Sequence, residues 1–319
     1  MRKIRTFSLF LMFAISILII QKTAILDYVT SIKYDSLDVS KMDDPLYVEI
    51  QKRAKDHEVK PEDARIDSIW KGVPGLNGKK VDVRLSYDKM KKKGTFDETL
   101  LVYKETKPKV TLRDLSPAPI YKGREEKQAV SFVINVAWGE EYLPSMLQTL
   151  QKQNVKVTFF IEGQFAKNNP DIVKMIAEEG HEIGNHSFSH PDMGRMSKEA
   201  AYKEIKQTND VLSSITGEVP RLFGPPSGAF NEETLRAARS LSMDTILWTV
   251  DTVDWKNPNS VSMKLKIVSK SHAGAIVLMH PTKVTDQTLE EMIVGVQNKG
   301  FVIIPVSELI SEKRQFIEN

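Results

Sequence analysis

The sequence predicts an α/β protein: a barrel of parallel strands, open or distorted, in the C-terminal part, preceded by a small α+β domain. Three observations predict it. Beyond residue 127, short apolar segments recur, from AVSFVINVA at 129 to FVIIPVSEL at 301. Amphipathic stretches of helical period separate most of them, and alternating strand and helix requires parallel strands joined by crossover helices. Before residue 116 that alternation is absent. Seven strand units suit a barrel better than a flat doubly wound sheet, and a barrel gathers functional side chains at the carboxyl ends of its strands.

The elements follow in order. Residues 1–26 begin with Arg2, Lys3 and Arg5, followed by an uncharged apolar run from Phe7 to Ile20. That run is shorter than the ~20 residues that span hydrocarbon and matches a signal region, so the segment reads as a signal peptide or a retained signal anchor. The remainder would then lie outside the cytoplasm, secreted or anchored in the membrane by its N-terminus. Residues 27–43 are polar and patternless, a spacer. Residues 44–115 form the α+β domain, with a helical stretch carrying Ile66, Ile69 and Trp70, a PGLNG turn, and an alternating strand at Val81, Val83 and Leu85. TLLVYKET and KVTLRDL complete it as strands, and residues 116–127 read as a linker. In the barrel, residues 128–310, the strands are AVSFVINVA, VKVTFFIEG, HEIGNH, PRLFG, DTILWTV, GAIVLMH and FVIIPVSEL. The helices are EYLPSMLQTLQKQN, NPDIVKMIAEEG, SKEAAYKEIKQTNDVLSSITG and NEETLRAARSLS.

Composition excludes several classes. Forty-five basic and 42 acidic residues leave a net charge of +3, too balanced for a nucleic-acid partner. The chain has no cysteine, so a disulfide framework and thiolate metal sites are both excluded, and a metal would have to be held by His, Asp or Glu. A zinc peptidase lacks its H-E-x-x-H signature.

The residues able to carry chemistry sit at strand ends. His186 and His190, four apart in HSFSH, lie on one side of a turn and could share a cation; the bland alternative is a loop capped by imidazole hydrogen bonds. Asp251 and Asp254 end another strand beside Trp255. His280 ends GAIVLMH, where a neighbouring carboxylate could fix its tautomer as a general acid requires, although core histidines satisfied by a carbonyl are commoner. Pro225, Pro226 and Gly228 belong to a loop that would shape a groove.

Several of these segments, VKVTFFIEG, GHEIGNHSFSH, FGPPSGAFN, DTVDW and IVLMH, occur in an order that resembles the polysaccharide deacetylases, the NodB-homology or carbohydrate esterase family 4 proteins, and within them the sporulation-associated subgroup. The resemblance runs from about residue 128 to 308. It implies a distorted (β/α) barrel of the polysaccharide deacetylase type that uses a divalent metal, zinc, to hydrolyse acetamido groups on N-acetylated amino-sugar polymers. The partner implied is a cell-wall or spore-wall glycan. By motif, His186 and His190 match the metal histidines and His280 the catalytic acid. Asp254 matches the residue that orients that acid, while Trp255 and Leu278 match the walls around the acetyl methyl.

The chain departs from the family at its first motif, F-D-D-G, which supplies the base and the third metal ligand. Alignment on the glycine places Ala137 and Trp138 at the two aspartates; alignment on the strand places Asn135 and Val136 there. Neither supplies a carboxylate, and the nearest are Glu140 and Glu141. The arginine that partners the base is replaced by Gly224, and Ser227 stands where an aromatic is usual. An arginine buried without its partner would be costly, so the losses are mutually consistent. Two readings follow: an N-deacetylase in which Glu140 or Glu141 substitutes for the aspartates, or a non-catalytic pseudoenzyme of the same fold that binds glycan or a partner. The joint loss of base, ligand and arginine favours impairment.

Overall fold

The structure is a computed structural model and describes residues 43–314. The N-terminal apolar run lies outside the described residues, and no helix among those described is long and apolar enough to cross a membrane.

The chain forms two units, divided differently from the expectation. The smaller contains residues 43–59 and 79–104; the larger contains residues 60–78 and everything described from 105 onward. Residues 60–78 and 105–115, expected in the small domain, therefore belong to the larger unit. In the smaller unit, helix Pro45–Ala54 starts at Asp44, whose side chain accepts from the Leu46 N–H, and Ile50 on it is fully buried beside Val81 and Met90. The strand expected through Val83 and Leu85 is instead helix Val83–Met90. The Asp82 side chain accepts from the Leu85 N–H, and this N-cap starts a helix where apolar alternation alone suggested a strand.

Within the larger unit, Ile66, Ile69 and Trp70 lie on an antiparallel hairpin, Arg65–Asp67 with Lys71–Val73, rather than on a helix. The Asp67 carboxylate accepts from the Ile69 and Trp70 N–H groups and closes the turn. KVTLRDL contains no strand; Thr111 and Asp114 cap each other across a single turn at Leu112–Asp114. Residues 116–127 are built into this unit: Ile120 is 1% exposed and accepts from the Leu247 N–H, and Gly123 donates to the Gly274 carbonyl.

The parallel sheet forms the body of the larger unit. Its strands are β1 (Ala129–Val136), β2 (Thr158–Ile161), β3 (Glu182–Asn185), β4 (Leu222–Phe223), β5 (Asp244–Thr245), β6 (Val250–Asp251), β7 (Ile276–Met279) and β8 (Val302–Ile303). They lie in the order β6-β7-β1-β2-β3-β4-β5, with β8 pairing against the start of β1. No ladder joins β5 to β6, so the barrel is distorted at residues 246–249. Helices not read from the sequence are Gly163–Asn168, Ser260–Lys270 and Lys283–Asn298, and the end of FVIIPVSEL, expected as strand, is helix Val306–Ile310.

All eight residues of β1 are buried, as expected for a parallel strand covered on both faces. Its pleat sorts them. Val130, Phe132, Ile134 and Val136 pack into the helix-covered core with Leu143, Met146 and Leu147. Ala129 and Val133 face the other way, into the barrel interior with Phe160, Ile276 and Leu278. Side chains alternate strictly along a strand, so Asn135 continues the interior row and Ala137 follows it just past the strand end. On β7, Val277 and Met279 face the helices, Ile276 and Leu278 face inward, and His280 continues the inward row.

Candidate active site

These inward rows end in a cavity of about 350 Å³. Asn135, Ala137 and Trp138 line it from the end of β1, His186 and His190 from the turn after β3, and Leu278 and His280 from β7. Ser227, Trp248, Asp251 and Trp255 close its remaining sides.

The histidine turn is held from below. Asn185 is fully buried and accepts from the Ser187 N–H while donating to the Ile205 carbonyl and the Asn209 side chain. Glu204, on the helix Lys198–Thr216, accepts from the Phe188 and Ser189 N–H groups at 2.9 Å each. Together they stabilise a turn in which both Ser187 and His190 have positive φ, at 63° and 55°. The two imidazoles come together with ring centroids 5.2 Å apart. His186 is 2% exposed and donates from Nδ1 to the Gly224 carbonyl at 2.6 Å. Burial pushes its pKa down to about 3, with the neighbouring His190 adding to the effect, so the ring is neutral. Burial also lowers the His190 pKa.

On the opposite wall His280 and Asp254 form a pair. The Asp254 carboxylate, 1% exposed, accepts from His280 Nδ1 at 2.8 Å, from the His280 backbone N–H at 2.6 Å and from the Thr285 hydroxyl at 2.6 Å. Burial alone would raise the pKa of this carboxyl, but the hydrogen bonds and the charge of His280 hold it below its ordinary value. Asp254 does not line the cavity; it acts through the ring that it orients. Trp138 stacks on that ring, with centroids 5.9 Å apart and planes 9° from parallel.

The two registers of the first motif place different residues at the cavity, with Asn135 lining it in one and Ala137 and Trp138 in the other. Val136 is fully buried on the helix-facing side, where a carboxylate could not reach the cavity. Ala137 and Trp138 both line it. Gly139 is required by the backbone: its φ is +81°, and a Cβ there would lie 2.1 Å from the Pro281 carbonyl oxygen. A Gly139→Ala variant is expected to lose about 1–3 kcal/mol from the left-handed backbone alone, and more from the clash, as a lowered urea midpoint.

The other sequence-derived residues fall as follows. Glu140 and Glu141 are exposed and lie outside the cavity lining, so the substitution imagined for them has no support in the fold. Pro225 and Pro226 are buried and shape the loop without lining the cavity. Gly228 passes so close to Trp248 that a Cβ would meet the indole at 2.9 Å. At Gly224 a Cβ would lie 2.9 Å from the Phe160 ring, so an arginine could not be restored there without moving that ring. Trp248 and Glu204 were not singled out by the sequence. Trp248 lies in the break between two strands of two residues each, and Glu204 lies inside an ordinary amphipathic helix; neither carries a motif.

A divalent cation does not fit the residues present. His186 and His190 offer two nitrogens, but an amide, a methyl and an indole stand on β1 and the turn that follows, and no group of three or more His, Asp or Glu able to hold a metal occurs among the described residues. Catalytic zinc normally takes three protein ligands.

The fold and this site define the class. A Polysaccharide deacetylase family profile matches residues 122–246. The peptidoglycan-N-acetylmuramic acid deacetylase PdaA of Bacillus subtilis is 31% identical over 60% of this chain and 75% of its own length. The chain belongs to the polysaccharide deacetylase family, carbohydrate esterase family 4. Nearly its whole length, 98%, aligns at 44% identity with 98% of the uncharacterized protein YlxY of Bacillus subtilis. The crystal structure of wild-type BA3943, described as a family 4 pseudoenzyme from Bacillus anthracis, superimposes with a TM-score of 0.76 at 46% identity, covering 85% of this chain and 96% of that one. A mutant of BA3943 is described as having restored enzymatic activity.

Proposed function

We propose that this protein is a deacetylase-fold pseudoenzyme of the bacterial envelope that binds an N-acetylated wall polymer, or its deacetylated form, in the family groove and hydrolyses it weakly or not at all. One observation carries the reading: Ala137 and Trp138 occupy the strand-end positions where the base and third ligand would stand, while Glu140 and Glu141 lie outside the cavity lining. Zinc, the metal implied by the resemblance, would be left with two imidazoles and poor affinity. The peptidoglycan-directed names of the relatives and the pseudoenzyme description of BA3943 support this reading. The basic start and apolar run of residues 1–26 support export, with the groove outside the cytoplasm and the N-terminus serving as signal or anchor. The sporulation link rests on the subgroup resemblance.

The test is acetate release from N-acetylglucosamine oligomers and from peptidoglycan, with zinc supplied, for wild type and His186→Ala. Equal background rates are expected. Zinc-dependent turnover in wild type that His186→Ala abolishes would restore the enzyme reading. Retention of the chain on insoluble peptidoglycan tests the binding half separately.

A further inference from the structure

Where the groove binds glycan without hydrolysing it, the reading on which this inference rests, the hydrogen-bonding polarity of the cavity selects the sugar chemistry. A carbonyl can only accept, so the bond from His186 Nδ1 to Gly224 places the ring hydrogen on Nδ1 and leaves Nε2 with a lone pair. His280 Nδ1 faces the Asp254 carboxylate, another pure acceptor, so Nδ1 carries a ring hydrogen and, in the neutral form of the ring, Nε2 is the acceptor. Asn135 also lines the cavity, but its Oδ1 is buried and offers the open space no acceptor. Asp251 adds a carboxylate, of which Oδ1 accepts from the Val253 N–H at 2.8 Å.

The walls have a matching character. Three of the chain's four tryptophans, Trp138, Trp248 and Trp255, line this one space, and no lysine or arginine does. Indole faces attract cations. A neutral acetamide gains nothing from the charge of the Asp251 carboxylate in this lining. A primary ammonium brings three donors and a positive charge to the same acceptors, carboxylate and indoles. We propose that the cavity receives the free ammonium group of a de-N-acetylated amino sugar, so that the chain binds the product of deacetylation in preference to its substrate.

Calorimetric titration of the full chain in detergent, with metals removed by chelation, compares glucosamine oligomers with N-acetylglucosamine oligomers of equal length. The glucosamine oligomer is expected to bind about tenfold more tightly or better, and Asp251→Asn and Trp255→Ala should each remove most of that preference. Trp255 is 56% exposed and the asparagine keeps an oxygen for the Val253 N–H, so both variants should fold, which circular dichroism checks. Equal or tighter binding of the N-acetylated oligomer overturns the ammonium inference and leaves the glycan reading standing. Binding of neither oligomer overturns both. A preference unchanged in both variants also overturns the inference, because the amine is then recognised elsewhere.

Discussion

Replacing Ala137 and Trp138 together by aspartate is expected to give a chain that retains about one zinc after desalting, where wild type retains little, because catalytic zinc is normally held by three protein ligands. The two histidines are already gathered, with His186 locked in the neutral tautomer that leaves Nε2 available, so only the carboxylates are missing. Position 138 lines the cavity, and Trp138 is 45% exposed, so its removal leaves no core void and gives up mainly the stacking on His280. The neighbouring register provides the control. Val136→Asp would bury a carboxylate among Leu143, Met146 and Leu147, and is expected to unfold the chain rather than bind metal. Acetate release should rise in the double aspartate variant, but the absent arginine limits it, since a side chain at Gly224 would collide with the Phe160 ring. Zinc content equal to wild type in a folded double variant would show that the cavity does not place residue 138 against the histidines.

Most of the barrel is legible in the sequence because parallel strands buried on both faces read as continuous apolar runs, of which β1 is the plainest. The shorter elements are not, because local hydrogen bonds decide them. Ile66, Ile69 and Trp70 have helical spacing yet are 48%, 70% and 37% exposed, so their spacing marked no buried face; the Asp67 carboxylate turned the chain into a hairpin. Asp82 similarly converted an apparent strand into a helix. At the site, the imidazoles at 186, 190 and 280 are visible as strand-end residues, and the structure brings them to one cavity. Two features were beyond the sequence. Which residues after β1 face the cavity needed the pleat of that strand and the turn at Gly139. Trp248 needed the break between β5 and β6, which no periodicity announces.

Removing the Asp254 carboxylate should be the most damaging single change at the site. In Asp254→Ala three donors, the His280 ring, the His280 backbone and the Thr285 hydroxyl, lose their acceptor at a position 1% exposed. Breaking a buried pair from one side costs about 3–5 kcal/mol, which urea unfolding would register. Asp254→Asn should cost less but change the site more. Its oxygen can serve the two donors on one side, while its amide faces His280 Nδ1 and forces the ring into the other tautomer, turning Nε2 from acceptor into donor. In the ammonium-binding reading that swap sets a donor against a donor, so the variant should lose its preference for the deacetylated oligomer while remaining folded. The pair also sets an acid limit. Because the Asp254 pKa is lowered on folding, its stabilisation is complete above the ordinary aspartate value near 4 and disappears as pH falls through the lower folded value. His186 acts over a higher range: its folded pKa near 3 lies below the ordinary 6.5, so the unfolded chain takes up that proton first, and stability falls as pH drops from about 6.5 towards 3. A His186→Gln variant should therefore lose the upper part of the acid destabilisation and Asp254→Asn the lower part. Superimposable acid-unfolding profiles for the two variants would mean that other groups control the acid limit.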